Sequence, residues 1–335
     1  MTTTPSPRPT RILVTGGAGF IGSHYVRTLL GPHGPNDVTV TVLDKLTYAG
    51  NLANLDEVHD RPSFSFVKGD ICDDALVAEL MGRHDEVVHF AAESHVDRSI
   101  DGAAEFVRTN VVGTHTLIDA AHRAGVQTFV HVSTDEVYGS IERGSWLETQ
   151  PLAPNSPYSA AKASSDLIAL SYHRTHGLDV RVTRCSNNYG HHHFPEKVIP
   201  LFVTNLLDGS KVPLYGDGGN IRDWLHIDDH VQGIELVRTK GRPGEVYNIG
   251  GGTELTNREL TRLLVEACGA NWDTAVEYVP DRKGHDRRYS VDYTKIREEL
   301  GYVPRKEFSA ALTETVQWYR DNRAWWEPLK GRAAL

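Results

Sequence analysis

Cysteine is scarce in this sequence, with three in 335 residues. Cys72, Cys185 and Cys268 are odd in number, widely separated and free of any CxxC spacing, which argues against a disulfide framework and a structural zinc site. They suit a reducing compartment, and a cytoplasmic protein is expected. Long apolar runs are also missing, so no segment is expected to span a bilayer. The first ten residues, MTTTPSPRPT, are polar and proline-rich and lack the apolar core of a signal peptide. A protein neither exported nor membrane-anchored is expected. Nor is there a block rich in Lys and Arg. Acidic residues outnumber basic ones by 44 to 35, giving a net charge of -9, so a nucleic-acid partner is not expected. An anionic substrate would need a local cationic cluster, because the field of the whole chain opposes it.

What is present is ordinary globular composition, 39% apolar and 24% charged. The length exceeds one average domain and predicts two lobes with a cleft between them. Short β-branched runs alternate with longer amphipathic stretches. The runs are Arg11–Thr15, Thr39–Leu43, Phe64–Val67, Glu86–Phe90, Thr128–Val132, Asp179–Thr183 and Glu245–Ile249. Each is followed by enough chain for a crossover helix, which predicts an α/β fold with a doubly wound parallel sheet of the Rossmann type. After Ser186 the pattern breaks into a loop-rich segment, NNYGHHHFPEK, then a helix-like stretch over 200–208 and a turn-rich region at 216–219. The sheet pattern returns over 225–249, and helices with polar loops follow from Thr256. No internal repeat is visible.

The segment RILVTGGAGFIGSH sets Gly16, Gly19 and Gly22 between a buried-type strand and a helix. Glycines there allow a tight turn and close backbone approach, while the helix start offers free N–H groups to a pyrophosphate. Asp44 stands at the end of the second strand, where a carboxylate can accept from the adenosine ribose hydroxyls and repels a 2'-phosphate. That favours NAD over NADP, with Lys45 softening the discrimination; the plainer role for Asp44 is a strand-end cap.

In NSPYSAAKASSDLIALSYHRTHG, Pro157 suits a first helical turn and Gly177 a helix end, so Tyr158 and Lys162 lie four residues apart on one face. A phenol is a poor base near neutrality, and an adjacent ammonium would lower its pKa. The segment VHVSTDEVYG puts Ser133, Thr134, Asp135 and Glu136 at the carboxyl end of the fifth strand, where ligands of open α/β sheets sit. Elsewhere an Asp-Glu pair is usually a solvated loop or a helix cap; here it faces a predicted cleft.

Taken together, TGGAGFIG, AAESHVDRSI, STDEVYG, SPYSAAK, CSNNYG, FPEK and IRDW resemble the dTDP-glucose 4,6-dehydratase family of the extended short-chain dehydrogenase/reductases, over nearly the whole chain. The resemblance implies an NAD-dependent, homodimeric enzyme that turns a nucleoside-diphosphate-glucose, dTDP-glucose first, into its 4-keto-6-deoxy derivative. It implies Tyr158 and Thr134 at the C4 hydroxyl, Lys162 beside Tyr158, Glu136 as the C5 base and Asp135 as the C6 acid. A protonated Asp135 then needs desolvation or a like-charge neighbour. The implied cofactor residues are Gly16, Gly19, Phe20, Ile21, Gly22, Asp44, Lys45, Thr47, Asp70, Ile71, Ala91, Ala92, Thr109, Tyr158, Lys162 and Asn188. The implied substrate residues are Ser94, Thr134, Asn187, Glu196, Lys197, Val198, Pro213, Tyr215, Arg222, Asn257, Arg282 and His285, with Arg282 suited to a diphosphate.

On this reading, residues 1–10 form a disordered tail and residues 11–186 with 221–252 an NAD-binding Rossmann domain. Residues 187–220 with 253–330 form a smaller, discontinuous nucleotide-sugar lobe. Two features depart from the family, His191 and His192 in the HHHFPEK loop and Lys283 where relatives often carry proline. Three successive histidines invite a metal, but their side chains diverge and no ligand partner is suitably spaced, so none is expected. A 4-epimerase would need only the oxidation and would leave Asp135 and Glu136 idle. A non-catalytic NAD sensor would be expected to have lost Tyr158 or Lys162.

Overall fold

The computed structural model describes residues 8–333. Of the expected tail, residues 1–7 lie outside the described residues, and Thr10 already begins a strand. The chain opens with β1 (Thr10–Thr15), α1 (Phe20–Leu30), β2 (Val38–Asp44), β3 (Phe64–Lys68), α2 (Asp74–Met81) and β4 (Glu86–His89). Two short helices, α3 (Val96–Asp101) and α4 (Ala103–Phe106), run through a π-helical turn at Val107–Gly113 into α5 (Thr114–Ala124). β5 (Thr128–Thr134) ends in a 3-10 turn, Asp135–Tyr138, and α6 (Pro157–His176) leads to β6 (Val180–Cys185). Then follow β7 (Asn187–Tyr189), α7 (Val198–Leu207), β8 (Val212–Tyr215), β9 (Ile221–His226), α8 (Ile227–Lys240) and β10 (Val246–Ile249). The last elements are β11 (Thr253–Thr256), α9 (Asn257–Cys268), α10 (Trp272–Ala275), β12 (Val276–Val279), α11 (Thr294–Leu300), α12 (Phe308–Asp321) and α13 (Arg323–Ala333).

The seven β-branched runs form one parallel sheet, ordered β10-β6-β5-β4-β1-β2-β3. Such sheets are covered on both faces, which is why their strands read as continuous apolar runs rather than alternating ones. β1 shows this residue by residue. Ile12 and Val14 pack with Tyr25 and Val26 of α1 and Ile234 of α8. Leu13 points the other way, to Val77 of α2, Leu117 of α5 and Ala169 of α6. Strand order reverses beside β1, the position where open α/β sheets hold ligands at their carboxyl ends.

The segment read as a return of the sheet pattern over 225–249 divides into the end of β9, the helix α8 and β10. β9 does not enter the large sheet. It pairs in parallel with β7 and antiparallel with β11, while β8 pairs with β12. Around these small sheets, α7, α9, α12 and α13 enclose a core that includes the fully buried Tyr319 and Trp326.

Candidate active site

The glycine turn is shaped by backbone contact. Gly16 has φ +70°, and a Cβ there would lie 2.6 Å from the backbone nitrogen of Ala91. A Cβ on Gly22 would strike the Gly16 carbonyl and lie 2.9 Å from Gly17 Cα, so α1 can pack this close to the turn only without a side chain. Gly19 is the N-cap of α1 and brings no side-chain cap, so the first N–H groups of the helix stay available to an anion. Asp44 does act as a strand-end cap: its carboxylate accepts from Ala18 N at 2.9 Å and Leu46 N at 2.8 Å. Lys45 is paired with Asp70 at 2.9 Å.

α6 begins with a capping box, in which Ser156 Oγ accepts from Ser159 N at 3.1 Å and Ser159 Oγ accepts from Ser156 N at 3.0 Å. Pro157 follows at the first helical position, and Gly177 closes the helix at φ 73°. These stops fix Tyr158 and Lys162 on the buried face, 8% and 4% exposed. Lys162 Nζ donates to the Val132 carbonyl at 2.8 Å, and burial lowers its pKa to about 8. The expected lowering of the phenol does not appear. Burial, then the negative charge of Glu136, hold Tyr158 well above its ordinary value, while the ammonium of Lys162 is directed at a carbonyl.

At the end of β5, Thr134 Oγ1 accepts from Glu136 N at 3.2 Å and donates to Asp135 Oδ1 at 3.2 Å. Asp135 is 3% exposed. Burial, then Glu136, then Asp223 push its pKa well up. Glu136 is raised by burial too, but Arg282, Lys197 and Arg222 oppose the rise. Two adjacent carboxyls are thus driven apart, the condition for one to act as acid and the other as base.

All the residues named in the sequence as cofactor, substrate or catalytic candidates line one cavity of about 460 Å³. Gly16, Gly19, Phe20, Ile21, Gly22, Asp44, Lys45, Thr47, Asp70, Ile71, Ala91, Ala92 and Thr109 line it from the large sheet's side; Glu196, Lys197, Val198, Pro213, Tyr215, Arg222, Asn257, Arg282 and His285 come from beyond β6. Ser94, Asn187 and Asn188 also line it. Lys197 Nζ reaches across to the Ser94 carbonyl at 2.5 Å, and Arg282 lies 3.7 Å from Asp97. The glycine cradle, the uncapped helix start and the strand-end carboxylate fit a dinucleotide. Lys197, Arg222 and Arg282 supply the local cations that an anionic substrate requires in an acidic protein. Arg282 Nε is buried without a protein partner.

Sequence reading passed over several groups. Glu93 and Asp97 line the cavity within the quoted segment AAESHVDRSI, and Tyr48 underlies the guanidinium of Arg98 at 4.2 Å. Asp223, within IRDW, is 2% exposed, bonds Ser186 Oγ at 2.5 Å and is pushed by burial to about 6. An acidic residue flanked by Arg and Trp on a short strand was the available signal. The HHH loop departs from solvent: His191 stacks on Trp318, His192 takes φ 64° between Trp318 and Trp325, and His193 stacks on Phe20 at 4.0 Å. Among the described residues, no group of three His, Cys, Asp or Glu side chains is placed to hold a metal ion.

Comparison with known proteins places this geometry. The family model described as GDP-mannose 4,6 dehydratase matches residues 13–315. A dTDP-glucose 4,6-dehydratase of Streptomyces antibioticus is 68% identical over 327 residues, covering 96% of each chain. One of Streptomyces griseus is 65% identical, covering 97% of this chain and 99% of its own. The crystal structure of DesIV, a dTDP-glucose 4,6-dehydratase from Streptomyces venezuelae with NAD and TYD bound, superposes with a TM-score of 0.93 at 62% identity, covering 96% of this chain and 100% of that one. A UDP-glucose 4-epimerase of Thermotoga maritima with UDP-glucose shares the fold at a TM-score of 0.85 and 34% identity, covering 94% of this chain and all of that one. The chain therefore belongs to the dTDP-glucose 4,6-dehydratase family of the extended short-chain dehydrogenase/reductases.

Proposed function

We propose that this chain is an NAD-dependent dTDP-glucose 4,6-dehydratase, a hydro-lyase that forms dTDP-4-keto-6-deoxyglucose and water. The observation that carries this reading is the turn of Asp135 and Glu136 lining the same cavity as Tyr158, Lys162 and the glycine cradle. In this reading Tyr158 takes the proton of the sugar C4 hydroxyl as a phenolate, with Thr134 bonded to the same hydroxyl. That requires the positive charges of bound NAD and Lys162 to overcome the burial and the Glu136 charge that hold the phenol neutral. When bound, NAD supplies the acceptor for the C4 hydride and returns that hydride to C6. The C4 ketone acidifies the C5 hydrogen, which Glu136 removes; Asp135 protonates the C6 hydroxyl as it leaves. Asp135 suits the acid because burial and two like charges keep its proton on. Glu136 suits the base because three cations favour its anion. Glu136, whose proton exchanges with solvent, then protonates C5, and the cycle closes as Asp135 regains a proton and Tyr158 gives up the one taken from the C4 hydroxyl.

Residues 11–186 with 221–252 would chiefly bind the dinucleotide and 187–220 with 253–330 chiefly the sugar nucleotide, whose diphosphate meets Arg282 and also Arg222, which stands on β9 in the small sheet although it falls within 221–252. A homodimer is supported by Val107, Val112 and Leu167, apolar side chains half-exposed on the neighbouring α4–α5 and α6 segments. A cytoplasmic setting is supported by cysteines that are all unpaired. No described helix is long and apolar enough to cross a membrane.

Incubation with dTDP-glucose deuterated at C4 tests the reaction, with the product read by mass spectrometry and NMR. Loss of one water with deuterium moved to C6 is expected. Unchanged mass with inverted C4 would mean a 4-epimerase, in which the two carboxyls have no task.

A further inference from the structure

The turn that carries Asp135 and Glu136 ends in Tyr138, which is fully buried behind the cavity rather than on its wall. Its hydroxyl donates to Asn248 Oδ1 at 2.8 Å and accepts from Arg184 Nη1 at 2.9 Å, and the guanidinium covers its ring at 4.8 Å. Arg184 Nε donates in turn to Asp166 Oδ2 at 2.8 Å. Asp166 lies on α6, one turn beyond Lys162 and two beyond Tyr158. Strand register makes this chain of contacts compact: Ser133 of β5 is level with Arg184 of β6, and Arg184 with Asn248 of β10. The contacts thus cross three neighbouring strands beneath the catalytic end of the sheet.

An ion pair buried this deeply adds little net stability over an apolar pair of the same shape, because desolvation offsets the attraction. What such a network does provide is fixed geometry through its directed bonds, although Asp166 Oδ1 has no hydrogen-bond partner and only His131 Nε2 beside it at 3.2 Å. Burial pushes the Asp166 carboxyl up, but Arg184 and His131 more than offset this and hold it at about 2, so the pair is ionised across the neutral range. None of these groups takes part in the proton transfers assigned above.

We propose that Asp166, Arg184 and Tyr138 form a positioning clamp that holds the turn of Asp135 and Glu136 in register with Tyr158 and Lys162. The inference rests on the dehydratase reading, since only an elimination needs both pairs to address one sugar. An epimerase could lose the alignment without penalty.

Two variants test it, Tyr138→Phe and Arg184→Lys. Tyr138→Phe removes one oxygen and leaves the Asp166–Arg184 pair intact, so it retains the fold; Arg184→Lys keeps the charge but not the fork of donors. Each purified variant, with NAD, is mixed rapidly with dTDP-glucose, and reduced dinucleotide is followed by absorbance while uptake of solvent deuterium at C5 is followed by mass spectrometry. The clamp predicts C4 oxidation at the parent rate, reduced dinucleotide persisting through the steady state, and kcat and C5 exchange both lower by about tenfold or more. KM stays within about twofold, because the nucleotide contacts are untouched. Variants that match the parent traces, or that slow oxidation and elimination equally, overturn the clamp alone. A parent enzyme that forms no keto sugar overturns the dehydratase reading and the clamp with it.

Discussion

Thr134 donates its hydroxyl hydrogen to Oδ1 of Asp135 at 3.2 Å, while Oδ2 of the same carboxyl is buried with no protein partner. Since a proton on Oδ1 would compete with that hydrogen bond, a neutral Asp135 carries its proton on Oδ2. The side chain is therefore set up as a donor with one free end.

Asp135→Asn removes that proton and keeps the shape. Turnover should fall by about 10²–10⁴-fold, the usual contribution of a general acid. Oxidation at C4 should survive, so reduced dinucleotide accumulates on mixing with substrate. Absorbance at the dinucleotide band checks this, and a variant that neither turns over nor reduces dinucleotide would place Asp135 in the oxidation step instead.

The pH profile follows from the same turn. With Glu136 as the proposed base, activity should require its ionised form, and the acid limb should lie above the ordinary glutamate range, where burial has moved that group. The alkaline limb combines ionisation of Asp135 with loss of the proton on Lys162 near 8. Arg282 is the strongest of the cations favouring the Glu136 anion. Arg282→Met should therefore move the acid limb of kcat to higher pH and weaken binding of dTDP by about tenfold to a hundredfold, as for a lost charge-assisted hydrogen bond. Calorimetric titration and a pH series on the variant measure both; an acid limb that stays in place would separate Arg282 from the base.

Gly22→Ala tests the dinucleotide cradle. Its methyl group would press on the Gly16 carbonyl and the Gly17 Cα, both backbone, which can yield only by opening the turn. A loss of about 1–3 kcal/mol in unfolding free energy is expected, with weaker NAD binding. Denaturant titration and fluorescence titration with NAD read the two effects, and unchanged NAD affinity would remove this turn from the binding site.

Much of this site was legible because its signals are local. The glycine turn, the β-branched strands and the capped helix bearing Tyr158 and Lys162 each declare themselves within one short segment, since backbone sterics and periodicity act over a few residues. The Asp166–Arg184–Tyr138 contacts and the Phe20–His193 stack join distant segments, and no spacing rule encodes them. β7 was read as loop, because three polar-flanked residues show no alternation; its partner β9 supplies the order. The direction of the Tyr158 shift depends on burial and on the facing Glu136, neither of which periodicity reveals.

Buried neutral histidines make the fold sensitive to mild acid. Burial holds His131 and His226 at about 4 and His230 at about 3, against about 6.5 in an unfolded chain. At these rings the unfolded state therefore binds more protons below that value, so their contribution to stability falls as pH drops from about 6.5 toward 4, opposed in sign by the raised carboxyls of Asp135 and Asp223. His131 alone, fully buried, contributes a loss of about 3 kcal/mol by pH 4. The loss of stability from about pH 6.5 to 4 should be smaller for His131→Phe than for the parent in unfolding midpoints measured across that window; equal losses would show that this ring is solvated.

The stack of His193 on Phe20 joins the first turn of α1 to the loop ahead of α7, and both rings border the cavity. Its consequence concerns traffic. A dinucleotide seated on the glycine turn would lie beside a contact that ties the two sides of the cavity together, so leaving would mean parting that contact. An ordinary dehydrogenase must trade its coenzyme at every turn and would be hindered by such a tie. A catalyst whose coenzyme ends each cycle unchanged can keep it in place.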